Sequence, residues 1–577
     1  MQGAETFAGI LEEHAARRPN DPAFVFLDRR GRPTEERTYA ALDERARGVA
    51  ASLAERGLTG SPVLLNFPPG LEFVDALFGC FYAGCIAVPA PYAIAKRSGD
   101  RVASICRDCD PVAMLTLARF DSETRARGEL PRVVERIAPI YVDALPPAPR
   151  SYSPSVSSDE SIALLQYTSG STSSPKGVML SHENLVANSR MIRDMFGNGP
   201  EVRGVAWLPL FHDMGLIGHV LQPVFNGGLS VLMSPLTFLQ RPLTWLEAIA
   251  HWKATASGGP TYAFELCTNR ISEEQAAGLD LSAWRVAYCG SEAIRSETME
   301  RFADKFAASG LSRGGIYPCY GLAEATLMVT GGQRGAGLRT TEDVGSTAPS
   351  RGDYAVRPKL VACGRACSGE TIVIVDPDVG VPVDDGEVGE IWVSGPNVGR
   401  GYWRRPLETA GVFGARLEGI DGAFLRTGDL GFLQDGELFV VGRMKDMIIV
   451  RGTNHAPEDI ESTVASCYGS FAGAAQAAFG IERSGREEVV VVQEVRAGLS
   501  GDETAAVFEQ VAQQHGLRLY DLVLVPMGAI PRTSSGKVRR GQCRELYAAG
   551  LLDRQNDPKD LRFLGLNVEA RAALTTV

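Results

Sequence analysis

A chain of 577 residues with a net charge of −11 is larger than one growing hydrophobic core, so at least two domains are expected. With 45% hydrophobic and 22% charged residues and no run of about 18 apolar residues, composition argues against a membrane-spanning helix. The acidic balance argues against a nucleic-acid partner, whose phosphates need a basic face. Met1 to Gly9 shows no basic start followed by an apolar stretch, so a cytoplasmic location is expected. The eleven cysteines, several within apolar runs such as Phe78 to Cys85, read as reduced core thiols. Cys106 and Cys109 form a lone CxxC without a second pair at zinc spacing, and no metal site is expected there.

In chain order, amphipathic helices are predicted over Thr6 to Arg18 and Thr38 to Arg56, flanking an apolar run at Ala23 to Leu27. Val63 to Phe67, Leu71 to Gly84 and Ile86 to Val88 have the rhythm of a βαβ crossover, which points to α/β architecture. A Pro- and Ser-rich connection, Leu145 to Ser158, precedes a buried strand at Ile162 to Gln166. Further strands are predicted at Val205 to Leu208, Leu229 to Met233, Val286 to Cys289, Thr371 to Val375 and Glu390 to Val393. Past about Gly442, strands at Met447 to Val450, Val489 to Val495 and Asp521 to Val525 combine with helices at Pro457 to Tyr468 and Asp502 to His515. That pattern is a small α+β domain, and the residues from about Arg554 read as a tail.

After the strand Ile162 to Gln166 runs Tyr167-Thr168-Ser169-Gly170-Ser171-Thr172-Ser173-Ser174-Pro175-Lys176-Gly177. Small hydroxyl residues and glycines let backbone N–H and side-chain OH groups converge on phosphate oxygens, with Lys176 supplying positive charge. The Walker A spacing is not met. A flexible Ser/Thr linker is the alternative, but linkers lack a buried strand on one side and Val178-Met179-Leu180 on the other.

This loop resembles the phosphate-loop signature of the adenylate-forming superfamily, which includes acyl-CoA synthetases, luciferases and peptide-synthetase adenylation domains. Tyr320-Gly321-Leu322-Ala323-Glu324, Arg426-Thr427-Gly428-Asp429, Gly442-Arg443-Met444-Lys445-Asp446 and Pro531 to Lys537 follow in the family order, so the resemblance covers about Thr6 to Leu546. It implies a large N-terminal domain of β-sheets and helices, residues 1–442, a hinge at 443–446 with Lys445 as its pivot, and a smaller mobile α+β domain, 447–577. It further implies ATP and Mg2+ as cofactors, Glu324 as the magnesium ligand, Tyr320 and Gly321 beside adenine, and Asp429 with Arg443 at the ribose. Lys537 would be the key adenylation residue, placing a cation where charge develops at the α-phosphorus. Arg451-Gly452-Thr453-Asn454 resembles the loop that lines the pantetheine channel after the small domain rotates.

Trp207 to Leu216, with His212-Asp213-Met214-Gly215-Leu216 at its end, resembles the acid-pocket motif of the fatty acyl-AMP ligases in particular. The adenine-side strand end Tyr288-Cys289-Gly290-Ser291-Glu292-Ala293 and the long stretch Thr330 to Val361 agree with that branch, the latter resembling an insertion that restricts domain movement. A cysteine before Gly290 departs from the family's usual residue. A fatty carboxylate is already ionised near neutral pH, so His212 reads as a gate or orienting residue and not a base. Met214, Leu216, Ile217, Val220 and Leu221 suit either an alkyl tunnel or a core helix. The resemblance implies a fatty acid substrate and, in trans, the phosphopantetheine of an acyl carrier protein, from a polyketide or peptide synthase. The alternatives are an acyl-CoA synthetase, an amino-acid adenylation enzyme, and a nucleotide-binding regulator without catalysis.

Overall fold

A computed structural model describes residues 5–92, 96–146, 148, 158–167, 175–341, 359–450, 453–468, 471, 474–483, 486–496, 498–533 and 536–555. The first helices start where a threonine hydroxyl can satisfy an otherwise orphaned amide. Thr6 caps Phe7–Arg17 by accepting from Gly9 N at 3.2 Å, and Thr38 caps Tyr39–Glu55 by accepting from Ala41 N at 3.2 Å. Between them Pro22–Leu27 is a strand, paired with Pro33–Thr38, whose charged, half-exposed sequence hides an edge strand from a search for apolar alternation.

Two large sheets organise the N-terminal part. The predicted crossover is present: Pro62–Leu65 and Ile86–Pro89 pair in parallel on either side of the helix Glu72–Ala83. Among the described residues this sheet has six strands, with Ala113–Thr116 and Pro139–Tyr141 on one side and Ile162–Tyr167 and Gly177–Ser181 on the other. A nine-stranded sheet runs in order from Arg365–Ala366 through Met328–Gly331, Ile316–Gly321, Val286–Cys289, Ala256–Gly259, Arg203–Ala206, Leu229–Met233 and Pro22–Leu27 to Pro33–Thr38. Its central strands are parallel and its margins antiparallel. One core joins the helices Phe7–Arg17, Tyr39–Glu55 and Glu72–Ala83 to residues from both sheets, including Phe24, Leu65 and Leu232. Cys106 and Cys109 are buried beside Ile105 in a satellite core.

The connection predicted at Leu145 to Ser158 lies largely outside the described residues. The long stretch Thr330 to Val361 begins and ends in strands. Thr330 and Gly331 belong to the strand Met328–Gly331, and Thr340–Thr341 pairs with Leu360–Val361 as a two-stranded ribbon. The remainder, residues 342–358, is outside the described residues.

Beyond Met444–Asp446, a short 3-10 turn, a separate hydrophobic core begins. In Arg486–Val495 alternate valines face opposite ways, as strand periodicity requires. Val489 and Val491 pack with Ile460, Val464 and Val507, while Val490 and Val492 pack with Phe479, Val523 and Cys543. The chain is thus a mixed α/β protein with a large sheet-rich part and a smaller C-terminal domain.

Two buried histidines make the larger part acid-sensitive. His182, 2% exposed and set edge-on to Phe81 at 5.3 Å, is held down to about 4 by burial, and His219, also 2% exposed, to about 3 by the same cause. Both rings are neutral when folded, whereas an unfolded chain protonates near pH 6.5. The unfolded state therefore binds more protons and stability falls as pH drops below about 6.5, by about 1.4 kcal/mol per pH unit for each ring. Glu370, raised by burial to about 8, and Asp75, raised to about 6, act in the opposite sense, so the histidine term is read as a difference: in urea titrations followed by tryptophan fluorescence, the stability of the native protein relative to His182→Phe should fall by about 2 kcal/mol between pH 7 and pH 5. A difference that stays constant between the two pH values would exclude His182 as a source.

Candidate active site

A hairpin supplies the first anchor. Ile420–Gln434 and Glu437–Arg443 are joined at Asp435-Gly436, whose φ of 53° and 76° match a two-residue hairpin turn. The resulting register sets Asp429 directly opposite Arg443. The Arg443 Nε lies 3.0 Å from Asp429 Oδ1, and the Tyr320 hydroxyl donates to Asp429 Oδ2 at 2.8 Å. Asp429 is only 5% exposed, so its carboxylate is held in one orientation by a cation and a phenol.

Tyr320 and Gly321 close the strand Ile316–Gly321. Gly321 is obligatory, because a Cβ there would sit 1.7 Å from the Leu327 carbonyl oxygen. The chain then turns through Ala323–Ala325, and Glu324 accepts a hydrogen bond from the Tyr402 hydroxyl at 2.9 Å. Burial raises the Glu324 carboxyl above its usual range. The Lys176 ammonium lies 4.9 Å from the Tyr402 ring centre and pairs with Glu408. Tyr402 therefore joins the predicted phosphate-loop lysine to the predicted magnesium ligand. Thr168, Ser169, Gly170, Ser171 and Thr172 lie outside the described residues, but the flanking strands pair antiparallel, Tyr167 against Gly177.

On the adenine side, Val286–Cys289 ends at Gly290, where a Cβ would come 2.7 Å from the Cys319 carbonyl oxygen. Gly290 is a backbone spacer and does not line the cavity; Ser291 and Glu292 do. Ser291 has φ 77°, a left-handed conformation rare for a side-chain-bearing residue and typical of sites under functional constraint. Glu292 accepts from the Tyr262 amide at 2.9 Å, and burial raises its carboxyl.

In the predicted acid pocket, His212 Nδ1 lies 2.5 Å from Asp213 Oδ1, which also accepts from the Met214 amide at 2.6 Å. Burial opposes the Asp213 charge, yet His212, Lys537 and the Met214 amide together hold the carboxyl at about 2. His212, Asp213 and Met214 line the cavity. Gly215 and Leu216 do not: a Cβ on Gly215 would strike the Pro209 carbonyl, and Leu216, Ile217, Val220 and Leu221 are fully buried in the N-terminal core. Of the two uses left open for these apolar residues, the core explains these four. Apolar lining comes instead from Ile192, Phe196, Leu239, Leu266 and Leu327, which lie outside every motif.

Lys537 reaches the same cavity from the small domain. A tight loop holds it: Thr533 N donates to the Lys537 carbonyl at 2.7 Å, and Lys537 N donates to Thr533 Oγ1 at 3.0 Å. Gly536, φ +88°, lies against the Tyr262 ring so closely that a Cβ would approach to 2.5 Å. Burial lowers the Lys537 ammonium below the usual lysine range; Asp213 and Glu292 oppose this, and Arg443 adds to it. Lys445 also lines the cavity, and its ammonium is likewise lowered by burial. Of the predicted pantetheine loop, Arg451 and Gly452 lie outside the described residues, and Thr453–His455 pairs with Ile448–Val450.

The cavity is about 1600 Å³ and is lined from both domains. It brings Lys176, His212, Glu292, Tyr320, Glu324, Asp429, Arg443 and Lys537 to one space. Tyr262 and Tyr402 were not foreseen, since each acts on a motif distant in sequence and belongs to none.

The family described as AMP-binding enzyme matches residues 11–403, and one described as Disco-interacting protein 2-like, AMP domain, matches residues 445–557. The chain is 39% identical over 569 residues to the medium-chain-fatty-acid–[acyl-carrier-protein] ligase JamA of Moorena producens, covering 95% of this chain and 96% of that one. It is 38% identical to the long-chain-fatty-acid–AMP ligase FadD26 of Mycobacterium marinum, covering 93% and 96%. A crystal structure of the fatty acyl-adenylate ligase from L. pneumophila, in complex with acyl adenylate and pyrophosphate, superposes with a TM-score of 0.73 at 37% identity, covering 94% and 96%.

Proposed function

The chain belongs to the AMP-binding enzyme family, and on that premise we propose that it activates a fatty acid with ATP and passes the acyl group to the phosphopantetheine thiol of an acyl carrier protein. The observation that carries this reading is the arrival of Lys537, from the small domain, in the cavity that holds the Asp429–Arg443–Tyr320 cluster and Glu324.

Asp429 accepts hydrogen bonds from the ribose hydroxyls, and Arg443 fixes its orientation. Tyr320 presents its ring to the adenine. Lys176 and the hydroxyl-rich loop before it hold the β- and γ-phosphates. Glu324, a partly buried carboxylate on the cavity wall, fits a hard divalent cation bound chiefly by phosphates. Mg2+ held by Glu324 and ATP would neutralise charge on the phosphate oxygens. A carboxylate oxygen of the fatty acid attacks the α-phosphorus, the bond to the bridging oxygen breaks, and pyrophosphate leaves. Lys537 meets the negative charge that grows on the α-phosphoryl oxygens in that step. His212, held by Asp213, orients the incoming carboxylate and needs to move no proton. In the second half-reaction the carrier thiol gives its proton to solvent, its sulfur attacks the acyl carbon, the bond from that carbon to the phosphate oxygen breaks, and AMP departs. Lys445, in the turn between the two parts, is the pivot for the rearrangement that admits the carrier. The domain limits are 1–442 and 447–577, and the enzyme works in the cytoplasm with a carrier protein of a polyketide or peptide synthase.

The ribbon Thr340–Thr341 and Leu360–Val361 stands beside the cavity, which Lys359, Leu360 and Val361 line. The stretch Thr330 to Val361, which includes residues 342–358 between the two strands of the ribbon, is the insertion that disfavours coenzyme A. Mass spectrometry of reactions with ATP, magnesium, a fatty acid and either acceptor tests both points. The native enzyme should yield acyl-AMP and acyl-carrier protein, and excision of 342–358 should raise acyl-CoA by about tenfold or more. Rapid acyl-CoA formation by the native enzyme would make it an acyl-CoA synthetase. A folded excision variant that shows no gain would remove the role given to the insertion.

A further inference from the structure

Beside the main cavity lies a second, small chamber of about 30 Å³, room for little more than one or two water-sized groups. Phe196, Gly218 and Tyr288 line both spaces. The partition is one layer of rings: Tyr288 stacks on Phe196 with centroids 5.9 Å apart, and its hydroxyl shares a hydrogen bond with His219 Nε2. The short π-helix Ile217–Leu221, which carries Gly218 and His219, borders it; such wide turns recur at functional sites.

The chamber's wall is mostly apolar, but two buried amides border it. Gln222 and Asn226, 4% and 6% exposed, line it, and both amide atoms of each have no hydrogen-bond partner among the described residues. Buried amides are normally satisfied, and apolar residues of similar shape would fold more readily there. No lysine or arginine lines the chamber among the described residues, so a second carboxylate would be uncompensated. The two amides offer donors and acceptors suited to a neutral oxygen group.

Resting on the fatty-acid reading above, we propose that this chamber is a terminal subsite for a hydroxyl at the far end of the acyl chain. Gln222 and Asn226 bind the hydroxyl, and Tyr288 swings from His219 to join the two spaces.

The test compares kcat/KM for pyrophosphate release across straight-chain acids of increasing length and their ω-hydroxy counterparts. At the length that reaches the chamber, the native enzyme should prefer the hydroxy acid by about tenfold, against the trend that its lower hydrophobicity would set. The Gln222→Met, Asn226→Leu double variant should lose that preference while keeping activity on the unsubstituted acid, and should melt no lower than the native protein. Equal kcat/KM for every hydroxy and unsubstituted pair overturns the subsite, whatever the variant does. A preference that survives in either single variant and in the double variant overturns the roles of the two amides. Failure of every acid to release pyrophosphate overturns the fatty-acid reading and this inference with it.

Discussion

Lys537→Ala should lower the kcat for pyrophosphate release by about 100- to 1,000-fold, the usual cost of removing one preorganised charge-stabilising donor, with the KM for ATP changed little. The split follows from position. In the proposed assignment the nucleotide is anchored by Asp429 and Tyr320 on the large domain and by Arg443 at the start of the hinge, whereas Lys537 approaches on a loop pinned against Tyr262 and would contribute where charge grows. Supplied with ready-made acyl-adenylate, the variant should still acylate the carrier, because no phosphoryl charge develops in that half-reaction. The native enzyme should also lose activity on the alkaline side below about 10.4, the pKa of a free lysine, since burial depresses the Lys537 ammonium and its charge is needed. Lys537→Arg should move that limb upward. Near-native pyrophosphate release by Lys537→Ala would remove Lys537 from the chemistry; a rise confined to the KM for ATP would make it a binding residue only.

The parts of the fold that local physics decides were legible in the residues. Thr6 and Thr38 mark helix starts because a hydroxyl at that position satisfies an amide in any context, and Val489 to Val492 declare a strand buried on both faces. The strand Ile420–Gln434 was hidden because Gly422, Gly428 and Gly431 interrupt its apolar alternation. Its hairpin nevertheless had a readable sign in Asp435-Gly436, flanked by Phe432-Leu433 and Leu438-Phe439. Of the candidate site, motif spacing identified the polar groups, and the cavity gathers most of them. Long-range pairings were not legible: Tyr402 meets Glu324 across 78 positions, and Tyr262 meets Gly536 across a domain junction. The apolar tunnel was displaced for a related reason. Leu216 ends the predicted acid-pocket motif and Ile217 follows it, but the turn at His212 sends both into the core, and the apolar lining of the cavity is drawn from Ile192, Phe196 and Leu327.

Asp429→Ala should raise the KM for ATP by about 100-fold, with the KM for the fatty acid nearly unchanged. Two hydrogen bonds from ribose hydroxyls to a carboxylate are lost, each contributing roughly 1.5 kcal/mol or more, and about 1.4 kcal/mol is a factor of ten. A second effect acts in the same direction. Without the carboxylate, the Tyr320 hydroxyl and the Arg443 guanidinium lose the partner that holds them, so the adenine-facing ring and the nearby cation are both less well placed. The fold itself should survive, because Arg443 is about half exposed and water replaces its lost partner at small cost. Asp429→Asn separates the two effects. The amide keeps the shape and can still accept from Tyr320, but it offers no negative charge to Arg443, so its KM should fall between those of the native enzyme and the alanine variant. Isothermal titration with ATP, beside thermal melting of each variant, decides the matter. Native affinity for ATP in a folded Asp429→Ala protein would mean that the ribose is held elsewhere, and that the Asp429–Arg443 pair serves only to lock the hairpin.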